Sequence, residues 1–212
     1  MKIIGINIGA NNQSPMGRGN FNSKDKTFCY IPLEETDKQI RKFTYRGLGM
    51  DCIPEGLLDM PCHYDPEFKT NTYGHKLRCD DKNILLDKSL LNERFYILFY
   101  ATLNIDNDLD KWDVFAVGYF EVEKIVDIRN LTRKEIFALK EFQNNAHLNR
   151  QTPKDPKKGL SLLIKGNKNS RLFRQAIPFS DFQKLITTSS GKKIEKKAHG
   201  TDGFIIQKMK SY

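Results

Sequence analysis

Cysteine is scarce: four residues (Cys29, Cys52, Cys62, Cys79) in a chain of 212. A framework of several disulfides is thereby excluded, and with no secretory signal the expectation is reduced thiols in a cytoplasmic protein. Long apolar runs are absent as well. None approaches the roughly 20 residues that a membrane-spanning helix needs, so no membrane partner is expected. The opening MKIIGINIGANN has a short apolar stretch and no small-residue cleavage site, and reads as a first strand. Internal repeats are missing, which excludes solenoids and propellers. A P-loop is missing too: the Asn/Gly-rich stretch after the first strand lacks the spacing and the closing Lys-Ser/Thr, which excludes that class of NTP hydrolysis. The cysteines and histidines fall at spacings that match no common zinc set, so neither a metal nor another cofactor is expected.

What is present is a core and a lopsided charge. Hydrophobic residues make up 39% of the chain and Phe (14) and Tyr (8) dominate the aromatics, enough for one large domain over residues 1–212. Residues 1–149 carry 20 Lys+Arg against 22 Asp+Glu, whereas residues 150–212 carry 15 against 4. The whole surplus of +9 therefore sits in the last third, the footprint of a polyanionic partner, nucleic acid or nucleotide.

Hydrophobic periodicity gives an α+β fold: a mixed, barrel-like sheet with flanking helices. Strands are expected at Ile3–Gly9, Thr27–Ile31, Phe95–Leu103, Val114–Ile128, Leu160–Ile164 and Phe204–Gln207. Phe95–Leu103 is apolar on both faces, the mark of a buried strand. Thr132-x-x-Glu135 is a capping box, and Ile136, Leu139, Phe142 and Ala146 follow at helical spacing, with His147 on the face of Ile136. A second capping box, Ser180-x-x-Gln183, opens a short helix.

The densest chemistry lies in His63-Tyr64-Asp65-Pro66-Glu67. One imidazole and two carboxylates within five residues are what acid–base catalysis needs, and in an extended segment all three side chains point one way. His63, Asp65 and Glu67 are the candidate catalytic residues. Asn7 and Asn11 in the Asn/Gly-rich turn, with Thr72, Tyr73, Tyr100 and His147, are candidates for holding a nucleotide base. Lys165, Lys168, Ser170 and Arg171, interleaved with Phe173 and Phe179, are candidates for phosphate, in the pattern that suits single-stranded or flipped-out nucleotides.

Several of these blocks together resemble a known family, the third type of nucleotide-modification-associated domain. They are INIGAN, YIPLEE (Tyr30–Glu35), HYDPEF with TYG (His63–Phe68, Thr72–Gly74), the pair LFYATL and VGYFEVE, NAHL (Asn145–Leu148) and LIKGNKNSRLFRQAIPFS (Leu163–Ser180). His75 stands where that pattern has an acidic residue. The resemblance implies a protein that acts on, or reads, a modified base in nucleic acid. LFYATL with VGYFEVE is also similar to the core of PUA-like folds, which implies a base pocket near Tyr100 and Tyr119. Three functions follow: a base-modifying enzyme, a non-catalytic reader of a modified base, and a metal-dependent nuclease using Asp65 and Glu67.

Overall fold

The structure is a computed structural model, and it describes residues 2–9, 17–35, 43–50, 52–75, 94–149, 160–180 and 205–206. Its frame is a mixed sheet of eight strands: β1 (Lys2–Asn7), β2 (Asn20–Phe21), β5 (Thr72–His75), β6 (Phe95–Ile105), β7 (Asp108–Asp127), β8 (Leu162–Gly166), β9 (Arg171–Pro178) and β10 (Ile205–Ile206). A separate two-stranded ribbon pairs β3 (Leu33–Glu34) with β4 (Cys62–His63). Two short helices, α1 (Arg133–Phe137) and α2 (Ala146–Asn149), complete a sheet-rich α+β architecture.

The hairpin β6–β7 is the spine. Asp106 and Asn107 turn it with φ of 52° and 61°, the left-handed pair that a tight hairpin requires. Alternation along β6 then splits the side chains: Phe95, Ile97, Phe99, Ala101 and Leu103 enter the main core, while Leu98 faces a smaller cluster with Ile3 and Ala116. Pairing steps from Phe99↔Gly118 to Tyr100↔Ala116, so Val117 is an extra residue on β7. This bulge keeps Phe120 in the core and turns Tyr119 to the opposite face. The twenty residues of β7 exceed what one neighbour can pair. Its first half lies between β6 and β9, and its second half, past a register shift at Val122/Lys124, pairs with β8. β5 closes this side on β8, and β1 with β10 closes the other.

The strand path thus ends at β10 and β5, and among the described residues it does not close into a barrel. Thr27–Ile31 is not a strand: it forms a single bridge, from Phe28 to Phe21, with the Cys29 N–H donating to the Asn20 carbonyl at 2.8 Å, and Tyr30 and Ile31 are buried in the main core. The capping box forms, Thr132 N–H donating to Glu135 Oε2 at 2.7 Å, but α1 lasts five residues. Leu139 leaves the helical region (ψ 75°), a 3-10 turn follows at Lys140–Phe142, and α2 restarts at Ala146. Ile136, Phe142 and Leu148 still bury together, with Ile128, Leu160 and Leu163. The break frees His147 from the face of Ile136. Of the second capping box, Ser180 is described and Gln183 lies outside the described residues, as do Asn11 and Cys79. No helix among the described residues is long and apolar enough to cross a membrane.

Two of the cysteines expected as reduced thiols are joined: Cys29 and Cys52 form a disulfide with a Cα–Cα distance of 6.2 Å. Cys62 is free and buried, and burial pushes its thiol up to about 12, with the Glu35 carboxylate adding to the effect.

Candidate functional site

Three segments meet at the outer edge of β5. The β3–β4 register sets Leu33 opposite His63, and the Glu35 N–H donates to the Pro61 carbonyl, so Glu35 is carried alongside the imidazole. His63 Nδ1 lies 3.2 Å from Glu35 Oε2, with both side chains almost fully enclosed. Beyond β4 the chain bends at Asp65-Pro66, and the Asp65 carboxylate turns toward β5. The Gly74 N–H donates to Asp65 Oδ1 at 3.0 Å, and Asn145 Nδ2 donates to the same oxygen at 3.0 Å. Asn145 also accepts from the His147 N–H at 3.0 Å, capping the first turn of α2. One amide therefore fixes both Asp65 and the helix that bears His147.

His147 Nε2 completes the cluster at 3.0 Å from Asp65 Oδ2 and 3.4 Å from His63 Nε2. The two imidazoles are nearly perpendicular, at 84°, with centroids 4.6 Å apart. A glycine at position 74 is what allows this, since a Cβ there would stand 2.3 Å from His147 Cδ2. The result is a linear relay, Glu35–His63–His147–Asp65. The side chains of Glu35, His63 and Asp65 are enclosed, while the His147 side chain keeps 17% of its surface exposed.

The expected site residues divide around this cluster. His63, Asp65 and His147 come together. Glu67 does not join them: its carboxylate accepts from the Lys69 and Thr70 N–H groups and from the Thr70 hydroxyl, closing the turn that leads into β5. The common face expected for residues 63, 65 and 67 needs an extended chain, and the bend at Pro66 removes it. Thr72 is fully buried on β5 opposite Lys165. Tyr73 packs on Phe99 in the main core and its hydroxyl meets His75 Nδ1 at 3.2 Å. Tyr100 lies on the other side of the sheet against Phe179, so Tyr73 and Tyr100 do not wall one pocket. Asn7 is exposed at the end of β1.

The basic segment separates in the same way. Lys165 donates its ammonium to the Thr70 carbonyl, and the Ser170 hydroxyl accepts from the Glu121 N–H at 3.1 Å. Ser170, Lys168 and Arg171, but not Lys165, line an open cleft of about 520 Å³ with Arg94, Tyr96 and Tyr119. None of the residues of the relay lines that cleft. Glu121 at its floor is held below the usual carboxylate range by the side-chain amides of Asn169 and Asn167.

Glu35, a member of the relay, and Asn145, which supports it, are absent from the residues expected from sequence. Both stand inside blocks that carry the family resemblance, YIPLEE and NAHL. Only tertiary structure shows that one orients His63 and the other holds Asp65.

Comparison with known proteins bears on this arrangement. A family model described as nucleotide modification associated domain 3 matches residues 2–194, which include every residue of the relay. No curated protein and no solved structure matches the chain.

Proposed function

The chain belongs to the nucleotide modification associated domain 3 family, and from that premise we propose that it acts on a modified nucleotide base at the cluster formed by His63, Asp65 and His147. The observation that carries the reading is the convergence of His63 Nε2, His147 Nε2 and Asp65 Oδ2 from three segments, each supported by a partner behind it. Side chains held in place by a partner behind them are pre-set to meet a substrate or a water, which is what catalysis by positioned groups requires. Glu35 and Asn145 are positioning residues. The chemistry is acid–base in kind: a proton moves between an activated water and a ring, exocyclic or glycosidic atom of the base.

The cleft lined by Arg94, Lys168, Arg171 and Tyr119 is a second contact, for phosphate and a stacked base of the same polyanion. Its support is the pairing of cations with aromatic faces, which tolerates any base sequence. Ser170 acts in it by fixing the backbone of β7 rather than by reaching phosphate. A PUA-like organisation of the core is not needed for this reading.

Mass spectrometry of nucleosides tests it. Intact DNA and RNA carrying varied modified bases, and free nucleotides, are incubated with the wild type and with His147→Ala and His63→Ala. The expected result is loss or gain of one nucleoside species that falls by at least about a hundredfold in either variant, the range for a removed acid–base group. An unchanged nucleoside profile, with one modified species retained on wild type but not on Arg171→Ala, would replace the enzyme with a reader.

A further inference from the structure

Among the described residues, His63, Asp65 and His147 form the one group of three such side chains whose ligand-type atoms all lie within 4.8 Å of one another. We propose that His63 Nε2, His147 Nε2 and Asp65 Oδ2 hold one divalent first-row transition-metal ion. The inference rests on the reading of this site and deepens it, because it names what activates the water, and it departs from the expectation of no metal drawn from cysteine and histidine spacing. That spacing could not show the site. His63 and Asp65 are close in the chain, but the third ligand comes from a helix more than eighty residues away.

Metal–nitrogen bonds of about 2.1 Å put neighbouring ligand atoms about 3.0 Å apart in an octahedron and about 3.4 Å apart in a tetrahedron. The separations observed are 3.0 Å for His147 Nε2 to Asp65 Oδ2 and 3.4 Å for His147 Nε2 to His63 Nε2. Hydrogen bonding alone accounts for them less well. His147 Nε2 carries either one proton or one lone pair, yet it faces two groups, and 3.4 Å is beyond the usual reach of an N–H donor. A cation among these atoms, which all lie within 4.8 Å of one another, would take a lone pair from each.

The supports behind the ligands fit the same assignment. Glu35 accepts from His63 Nδ1, which puts the proton there and leaves the Nε2 lone pair facing His147, the carboxylate–histidine arrangement that tunes metal ligands. Asn145 donates to Asp65 Oδ1 at 3.0 Å, and the Gly74 N–H donates to Oδ1 at 3.0 Å and more distantly to Oδ2 at 3.3 Å, which leaves Oδ2 facing His147 at 3.0 Å. Two enclosed carboxylates in one relay also favour a positive charge between them. Two imidazoles and a carboxylate suit Zn²⁺, Fe²⁺ or Mn²⁺ better than Mg²⁺ or Ca²⁺, which prefer all-oxygen sets. Three protein ligands leave coordination positions for water and substrate, and the partly exposed edge of His147 is where these would enter.

Metal binding is measured without substrate, on full-length protein stripped with chelator. Titration with Co²⁺, followed by visible absorption, and metal analysis after exposure to Zn²⁺, Mn²⁺ or anaerobic Fe²⁺ are expected to give one ion per chain. His147→Gln and Asp65→Asn are expected to weaken binding by more than a hundredfold. Glu35→Gln, which leaves all three ligands, is expected to weaken it by about 10–100-fold. Should these variants not fold, X-ray absorption of the metal-loaded wild type decides, with two imidazole nitrogens expected in its first shell. Sub-stoichiometric binding, a first shell without two imidazoles, or undiminished binding in a folded His63→Ala/His147→Gln variant would overturn the proposal. Turnover by metal-free protein would overturn it while leaving the base-modification reading intact. One bound ion with no nucleoside changed would do the reverse.

Discussion

A Cβ at residue 74 would overlap the His147 ring, so the smallest substitution there is a severe one for the site. Gly74→Ala keeps the β5–β8 pairing, because Gly74 lends its N–H to Asp65 at the sheet edge, but it pushes His147 away from Asp65 and His63. The expected result is a folded protein weakened by about 1–3 kcal/mol, the usual cost of overpacking, with nucleoside turnover reduced at least to the level of His147→Ala. Denaturant unfolding and the nucleoside assay together check it; full activity in folded Gly74→Ala would show that His147 does not work from this position. At the neighbouring Cys62, burial holds the thiol in its protonated form. Native protein at pH 8 is therefore expected to leave Cys62 unalkylated by iodoacetamide, and unfolding to expose it, since the thiolate is the reactive species. Peptide mapping reads both states. At this scale the sequence was half legible. His63, Asp65 and His147 stand out by residue type, but Glu67 looked equivalent to Asp65 until the bend at Pro66 turned its carboxylate into the following turn. Glu35 and Asn145 act through positions that no local pattern reveals.

Elements were more legible than residues where their pattern was long. Phe95–Leu103 and Val114–Ile128 appear as β6 and β7 because a strand buried on both faces, followed by clear alternation, has one reading. The short Thr27–Ile31 run had the composition of a strand, but among the described residues it meets the two-residue β2 through a single bridge, too little to make a strand. The helix after Thr132 had periodicity, but the chain leaves the helical region at Leu139, and helix resumes only at α2, which Asn145 caps while it also holds Asp65. The Cys29–Cys52 link joins two irregular segments over a separation of 23 residues, and spacing alone does not mark such a pair. Closing a loop of that length is worth about 3 kcal/mol by the chain-entropy estimate. Cys29→Ser is accordingly expected to lower the denaturant midpoint in oxidising buffer and to match the wild type in reducing buffer. Equal midpoints in both buffers would show that the link contributes nothing to the fold in solution.

Over the whole molecule, the buried phenols and thiol make stability depend on alkaline pH. Tyr30 is raised well above its ordinary value by burial, and the Asp65 charge adds to that. Burial likewise raises Tyr45 and pushes Tyr64 up to about 12, as it does Cys62. In the unfolded chain a thiol ionises near about pH 8.5 and phenols near about pH 10. Between those values and the raised native ones, the native state holds more protons than the unfolded state, so stability falls as pH rises. All of this stabilisation is present below about pH 8.5. The +9 surplus works against the trend, because lysines that lose charge above about pH 10 relieve repulsion across the basic last third. Salt at about 0.5 M screens that opposing effect and isolates the buried groups. Under those conditions the guanidinium midpoint is expected to stay level from pH 7 to 8.5, to fall gently to pH 10 and to fall steeply above it. Cys62→Ser removes the gentle section alone and leaves the phenols' steep one. A midpoint that held level to pH 11 would show that these four side chains reach water in the folded state, and that the core beneath the His63 ribbon is looser than its packing indicates.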